Sequence, residues 1–516
     1  MLSTLFIIPA APPWHLLLGH DYTGAPRDAA NAAAAKRYDE QVLDHFASNR
    51  DRLDRRWSQR FFEDVSLWGG AGFPVFIELG GEGPTNGPPG GLQRQLASVH
   101  KAALITLEHR FYGKSWPTTN MSSANLKHLS AEQALADAAQ FIQWWSEAYG
   151  ALGSSWIVWG GSYSGQLASW LRLRYPASVA GAVAYSAPIL SQLDFYQYNQ
   201  VVTSVVASFG GDDCVELLRA AFAQLNASLG EHGAPPGRQG VARLLHACNV
   251  TTSDDDDAVL SGSVQGKVQS LVQYNQHGGS SSGWAPTVES FCKVGLDMAA
   301  NGSSALEALG AMLSSLGEKC LDSNHTLYME PLRDSNFTTG TPTNRQWYYQ
   351  LCNEFGQQTC EPGLATDCAT GVPGLTPSLF SPLAQKGDLA QGLQLCESLY
   401  GIPAGSSLAT PPALWSGRQR GWTNVAHGGR AISASSVIFV NGRRDPYSSV
   451  SLLPEQVLPE QSRMGVRSVA IENGSHCAGM GAASQSDSSD LAAAKQAVAM
   501  AVKEWLGSQP TAARWR

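Results

Sequence analysis

Basic residues are in short supply in this 516-residue chain: 35 Lys and Arg stand against 43 Asp and Glu, for a formal net charge of -8. That balance leaves no broad basic surface for nucleic acid or an anionic membrane. Long apolar runs are missing too. Beyond Gly19 no segment offers about 18 uninterrupted apolar residues, so no membrane span is expected. Paired C-x-x-C motifs are absent, which removes the common zinc frameworks. The acidic run Asp254–Asp257 lacks the ligand spacing and turn glycine of a calcium loop and reads as a solvated loop. No internal repeat is evident, and no metal or organic cofactor is implied.

What is present describes an ordered protein larger than one core. The chain is 43% hydrophobic and 15% charged, a globular composition. Its length exceeds the roughly 250–300 residues at which single cores stop growing, so a large domain with an insertion is expected. Nine cysteines accompany Asn-x-Ser/Thr sequons at Asn120, Asn226, Asn249, Asn301, Asn324, Asn336 and Asn473. Together they point to the secretory pathway, with a lysosomal, vacuolar or extracellular destination. Cys214, Cys248, Cys292, Cys320, Cys352, Cys360, Cys368 and Cys396 suit four disulfides of open connectivity, or buried thiols; Cys477 stands apart. Residues 1–37 read as a leader or pro-segment. Met1–Gly19 has short apolar stretches but no basic n-region, and Pro9, Pro12 and Pro13 interrupt it, so a signal peptide is only one reading. Order is expected from Tyr38.

Periodicity then places an alternating α/β pattern. Pro74–Gly80, Ala102–Leu107, Ser155–Trp159 and Val179–Tyr185 read as strands. Ser130 and Gln133, at capping-box spacing, open a helix to about Ala148, and a second helix ends at Arg174 before Pro176. This is a parallel sheet with helical crossovers. From 191 to 431 the text turns helical or irregular. Alternation resumes with Ser436–Val440, Arg467–Ile471 and a last helix from Asp490 to Gly507. The expected organisation is a core at 38–190, a mainly helical, disulfide-bearing cap insertion at 191–431, and the rest of the core at 432–516.

The chemistry is concentrated at strand ends. A serine hydroxyl attacks well only when a sharp strand-to-helix turn exposes it beside a base and oxyanion donors. Gly160-Gly161-Ser162-Tyr163-Ser164 follows a strand and opens a helix, with small residues two before and two after Ser162. Gly279-Ser280-Ser281-Ser282-Gly283 spells the elbow motif more literally, but no strand enters it, so it reads as a flexible linker. Ser164 is a rival nucleophile, flanked less suitably by Ser162 and Gln166. Asp445 and His476 follow the last two strands, in the chain order this fold requires. Ser162, Asp445 and His476 are therefore the expected triad. Backbone N–H groups of Tyr163 and of Gly81, in the Gly80–Gly83 loop, are the expected oxyanion hole.

Longer stretches carry a resemblance. Leu43–Phe46, Gln59–Phe62, Gly80–Gly83, Glu108–Ser115, Glu132–Asp137, Gly160–Tyr163, Arg345–Tyr348, Cys352–Gly356, Asn441-Gly442 with Asp445-Pro446, and Ser475–Cys477 together resemble the family of lysosomal Pro-X carboxypeptidase, dipeptidyl peptidase II and thymus-specific serine protease. They run in family order from Tyr38 to the last helix. The resemblance implies an α/β-hydrolase core under a mainly helical cap and exopeptidase activity, typically at prolyl bonds and often at acid pH. Its triad carries over onto Ser162, Asp445 and His476. The chain departs from the family pattern at Tyr447, where Trp is usual, at Gly81, where Asn is frequent, and after Cys477, where an acidic residue is common.

The expected activity is hydrolysis after proline or a small residue through an acyl-enzyme on Ser162; an esterase or lipase on the same fold and an inactive binding scaffold are the alternatives. Glu82 would pair with a substrate amino terminus or else hold neighbouring backbone. Trp347 and Tyr348, with Tyr163, would wall a proline pocket or simply fill core. His109 and Arg110 are expected in structural pairing rather than catalysis. Peptides are the expected partners, without nucleic acid; a homodimer is left open.

Overall fold

The computed structural model describes residues 34–47, 55–230, 232–275, 286–317, 319–337, 344–358, 377–386, 389–403 and 420–507. The strands are β1 (Lys36–Val42), β2 (Arg56–Asp64), β3 (Val75–Leu79), β4 (Ala103–Leu107), β5 (Trp156–Gly161), β6 (Gly181–Tyr185), β7 (Gln192–Asp194), β8 (Gly356–Gln358), β9 (Val437–Gly442) and β10 (Val466–Ile471). Eight of them form one sheet in the order β1-β2-β4-β3-β5-β6-β9-β10. β2 lies antiparallel to both β1 and β4, and every pairing from β4 to β10 is parallel. This is the α/β-hydrolase sheet.

The central strands are apolar throughout because both faces are covered. All five residues of β4 and of β6 are buried. On one face pack α1 (Gly91–His100) and the C-terminal helix, whose Val498, Val502 and Trp505 meet Phe76, Ile157 and Ile438. On the other lie α2 (Ala131–Ala148) and α3 (Tyr163–Arg174), through Phe141, Trp145, Leu167 and Trp170. Ser130 caps α2 by accepting from Gln133 N–H at 3.2 Å. The reciprocal half of the box is not made, since the Gln133 amide is turned to His45 N–H and the Asp44 carboxylate.

Two strands of the eight-stranded sheet, β1 and β2, escaped the sequence reading, as did the short β7 and β8. β1 starts at Lys36, two residues inside the stretch assigned to a leader; Lys36 pairs with Phe61 and Arg37 with Arg60. Only three of its seven residues are buried, so the strand carries little hydrophobic signal. Residues 1–33, the Gly279–Gly283 patch, Cys360 and Cys368 lie outside the described residues.

Between β6 and β9 the described chain is mainly helical. Helices α4 (Gln197–Gly210), α5 (Asp212–Ser228), α6 (Asp254–Gln273), α7 (Val288–Ala300) and α8 (Ala305–Ser314) enclose a second core around Val202, Leu218, Phe222, Val264, Phe291 and Met312. The acidic run is not a solvated loop. Its four aspartates form the first turn of α6, where the helix dipole favours negative charge. Asp257 is fully buried against Arg238, and Asp256 accepts from Thr252 and His325 N–H. Three disulfides pin this region among the described residues: Cys214–Cys292, Cys248–Cys320 and Cys352–Cys396.

Candidate active site

Ser162, Asp445 and His476 stand beyond the C-terminal ends of β5, β9 and β10, on one edge of the sheet, where parallel α/β sheets hold their ligands. Ser162 joins β5 to α3 with φ 56° and ψ -129°, a left-handed backbone that a serine adopts only under constraint. The constraint is visible. Ser162 N–H donates to the Tyr185 carbonyl at 2.8 Å, and its own carbonyl accepts from Gln166 N–H at 3.0 Å. A Cβ at Gly160 would lie 2.1 Å from the Ser164 carbonyl oxygen, so only glycine fits there. Ser164 serves the turn. Its hydroxyl donates to the Gly161 carbonyl and accepts from Gly161 N–H.

The Asp445 carboxylate is engaged through both of its oxygens. His476 Nδ1 lies 2.8 Å from Asp445 Oδ2, and both side chains are fully buried. Asp445 Oδ1 accepts from Tyr447 N–H at 2.9 Å. With Nδ1 engaged by the carboxylate, Nε2 is the ring atom left to exchange protons, and it is buried without a hydrogen-bond partner among the described residues. Burial is the largest influence and opposes charging of this imidazole, but Asp445 and Cys477 together outweigh it and hold the pKa well above the ordinary 6.5. The His476 peptide is fixed as firmly as the ring. His476 N–H donates to the Gln273 carbonyl of α6, and Cys477 N–H donates to Ser186 Oγ.

Elbow and histidine loop meet next to these residues. A Cβ at Gly161 would come within 2.9 Å of Cys477 Sγ and 2.7 Å of Met480 Sδ. No hydrogen bond joins Ser162 to His476 in this structure, as is frequent for catalytic pairs without substrate. The Gly80–Gly83 loop passes over the elbow. A Cβ at Gly81 would sit 3.7 Å from Ser164 Cβ, and Gly80 N–H is tied to the Leu107 carbonyl at 2.8 Å. Beyond the loop, Thr85 N–H donates to Glu108, which also pairs with Arg60 and accepts from Ser115. Gly81 and Tyr163 thus belong to the two segments that flank Ser162, the loop and the elbow.

The remaining expected residues divide. Glu82 is buried. Burial first, and then the carboxylates of Glu354 and Glu82, push the Tyr163 hydroxyl pKa up, so Glu82 sits within electrostatic reach of the elbow. Trp347 lies 5.4 Å from the Tyr163 ring, and Phe355 lies 5.2 Å from it, giving an aromatic wall. Tyr348 is buried in the core beneath. Arg110 is structural: fully buried, it forks onto Asp137 and bonds the carbonyls of Leu43 and His128. His109 reaches Tyr163 Oη at 3.0 Å.

Sequence reasoning missed the cap's share. Tyr274, just after α6, meets His476 edge-on at 5.9 Å, and Tyr447 packs on it at 5.1 Å with Phe195 and Tyr198 behind. Neither Gln273 nor Tyr274 stands in a motif, so no local signal marks them. Gln350 does lie between the stretches Arg345–Tyr348 and Cys352–Gly356, and that adjacency was the available hint.

Comparison with known proteins covers nearly the whole chain. The family model for serine carboxypeptidase S28 matches residues 41–498. Mouse thymus-specific serine protease is 34% identical over 485 residues, covering 90% of this chain and 86% of that protein. The human protein of that name is 33% identical over 483 residues, with the same coverage. Bovine lysosomal Pro-X carboxypeptidase is 27% identical over 431 residues, covering 80% of this chain and 77% of its own.

Proposed function

Since the chain belongs to the serine carboxypeptidase S28 family and is a serine-type peptidase, we propose that it is an exopeptidase cleaving after proline or a small residue, through an acyl-enzyme on Ser162. The observation that carries this reading is the His476 ring, locked by Asp445 on Nδ1 and open at Nε2 beside the elbow. In the proposed cycle Nε2 takes the Ser162 proton as Oγ attacks the scissile carbonyl. The carbonyl oxygen becomes an oxyanion, received by Tyr163 and Gly81 N–H. His476 then hands its proton to the leaving amine, and the C–N bond breaks. A water, deprotonated by the same nitrogen, hydrolyses the acyl ester.

The aromatic wall of Tyr163, Trp347 and Phe355 supports a flat apolar residue before the bond. Glu82 is the candidate partner of a free amino terminus. Residues 191–431 are proposed as the cap: the earlier part builds a separate core in contact with Tyr447, and Trp347 and Phe355 pack into the main core with Tyr163. Disulfides support the secretory pathway, and the lysosomal name borne by one relative supports that destination.

A paired assay of the purified protein and its Ser162→Ala variant tests the reading. One substrate is an X-Pro amide with a free amino terminus, the other an N-blocked peptide ending in Pro-X. Ser162-dependent cleavage of the first makes it a dipeptidyl peptidase, and of the second a carboxypeptidase. Turnover of acyl esters alone overturns the exopeptidase reading.

A further inference from the structure

Four buried hydrogen bonds run from the helical region into the residue that follows Ser162. Tyr112 Oη donates to Gln350 Oε1 at 2.6 Å, and Gln350 Nε2 donates to Tyr163 Oη at 2.8 Å. Tyr163 Oη lies 3.0 Å from His109 Nε2, and His109 Nδ1 lies 2.7 Å from the Arg110 carbonyl. Gln350 and Tyr112 are fully buried, Tyr163 and His109 nearly so.

The direction of every bond follows from chemistry. A carbonyl only accepts, so His109 Nδ1 carries the proton. In the neutral ring Nε2 is then an acceptor, and Tyr163 must donate to it. Having given its one proton, the Tyr163 oxygen accepts from Gln350, which orients that amide and leaves Oε1 for Tyr112. Burial keeps the His109 ring neutral, with its pKa pushed down to about 4. The charged groups acting on it are Asp137 and Arg110, opposite in effect. Glu82 and Glu354 act on the tyrosines. One proton arrangement satisfies all four side chains, and a cooperative chain of this kind holds position tightly.

What it holds is the oxyanion donor. Tyr163 is the first residue of α3, directly after Ser162, and its N–H is the donor proposed above for the oxyanion. Its ring is gripped by Gln350 and Trp347, both on helix α9 (Asn344–Gln350), which belongs to the region between β6 and β9. We propose that Gln350 is a positioning residue: it fixes Tyr163 from the cap side so that the Tyr163 N–H stays aimed at the developing oxyanion. The inference rests on Ser162 being the nucleophile.

Gln350→Leu removes the amide, and Tyr163→Phe removes the hydroxyl while keeping the ring. Each is expected to lower kcat roughly tenfold with KM changed less than about twofold. Each should weaken a peptide aldehyde, which mimics the tetrahedral intermediate, by the same factor. The double variant should be no worse than either single one, because both act through one bond. A rise in KM at constant kcat, additive losses, or loss of activity in step with thermal stability would overturn the proposal. Labelling by a serine-reactive phosphonate separates the two readings. A wild type that resists it defeats the nucleophile reading, and the proposal with it. Full, Ser162-dependent labelling with unchanged kcat in both variants overturns the positioning role alone.

Discussion

Ser164 Oγ donates to the Gly161 carbonyl at 2.8 Å while accepting from Gly161 N–H at 2.9 Å. The second serine of the elbow therefore closes the turn that presents the first. Its hydroxyl is spent on backbone, and its role is mechanical.

This separates the two serines experimentally. Ser164→Ala should lose about 1–3 kcal/mol of stability from two hydrogen bonds and keep phosphonate labelling. Ser162→Ala should keep its melting temperature and lose labelling altogether. Labelling that survives in Ser162→Ala and disappears in Ser164→Ala would reverse the assignment.

Asp445→Asn should leave the fold intact and lower kcat by about 10³- to 10⁴-fold. An amide that donates to Nδ1 favours the wrong tautomer, and the developing imidazolium loses its counter-charge. Steady-state kinetics on one peptide amide decides this; a loss under tenfold would mean that Asp445 does not orient the base.

The pH dependence has a definite sign. In the proposed role His476 is a base only when neutral, and its pKa is held above 6.5 by Asp445 and Cys477. The acid limb of kcat/KM should therefore lie above pH 6.5, toward neutral conditions and against the acid optimum the resemblance suggested. For stability the two buried histidines oppose each other. The His476–Asp445 pair contributes most below pH 6.5, and that contribution fades as pH rises through its folded pKa. His109, depressed to about 4, contributes fully above 6.5 and loses its contribution as pH falls toward 4. In denaturant titrations between those two values, His109→Gln should flatten the acid-side loss, which is at most about 1.4 kcal/mol per pH unit.

Gly160→Ala should disable the elbow. Its methyl would fall 2.1 Å from the Ser164 carbonyl oxygen, which is backbone and cannot swing away. Overpacking of this kind costs about 1–3 kcal/mol, and the displaced turn should abolish labelling of Ser162. Gly161→Ala meets side chains instead, Met480 and Cys477, and should retain part of the activity.

Replacing Cys214 and Cys292 together by Ser should lower stability by about 2–5 kcal/mol. The bond joins α5 to α7 across 78 residues, in the core that also receives Tyr447. Because Tyr447 packs on His476, kcat should fall as well. Thermal unfolding and turnover on the same preparation check both.

Much of this was readable along the chain because it is local. The runs at β3 to β6 and β9 are apolar because both faces of a parallel sheet are buried, and that leaves a continuous signature in the text. Ser162, Asp445 and His476 were legible as candidates because each follows a strand within a few residues. β1 and β2 were not seen. β1 is an edge strand with few buried residues, and β2 interleaves Arg60, Glu63 and Asp64 with its aromatic residues on both faces. Asp254–Asp257 read as solvent-facing by composition alone. The buried pairing of Asp257 with Arg238 could not be seen, because a partner 19 residues away leaves no local trace.

The sequence by itself marked the parallel strands, the elbow and the three side chains proposed as the triad, since each depends on periodicity or on sterics within a few residues. The tertiary structure alone decided how those side chains are gripped. The Gln273 carbonyl on His476, Gln350 on Tyr163 and Tyr274 against the base come from a region more than 70 residues from the groups they touch. Contacts of that separation are set by how two cores close on each other, and packing between cores has no period to read.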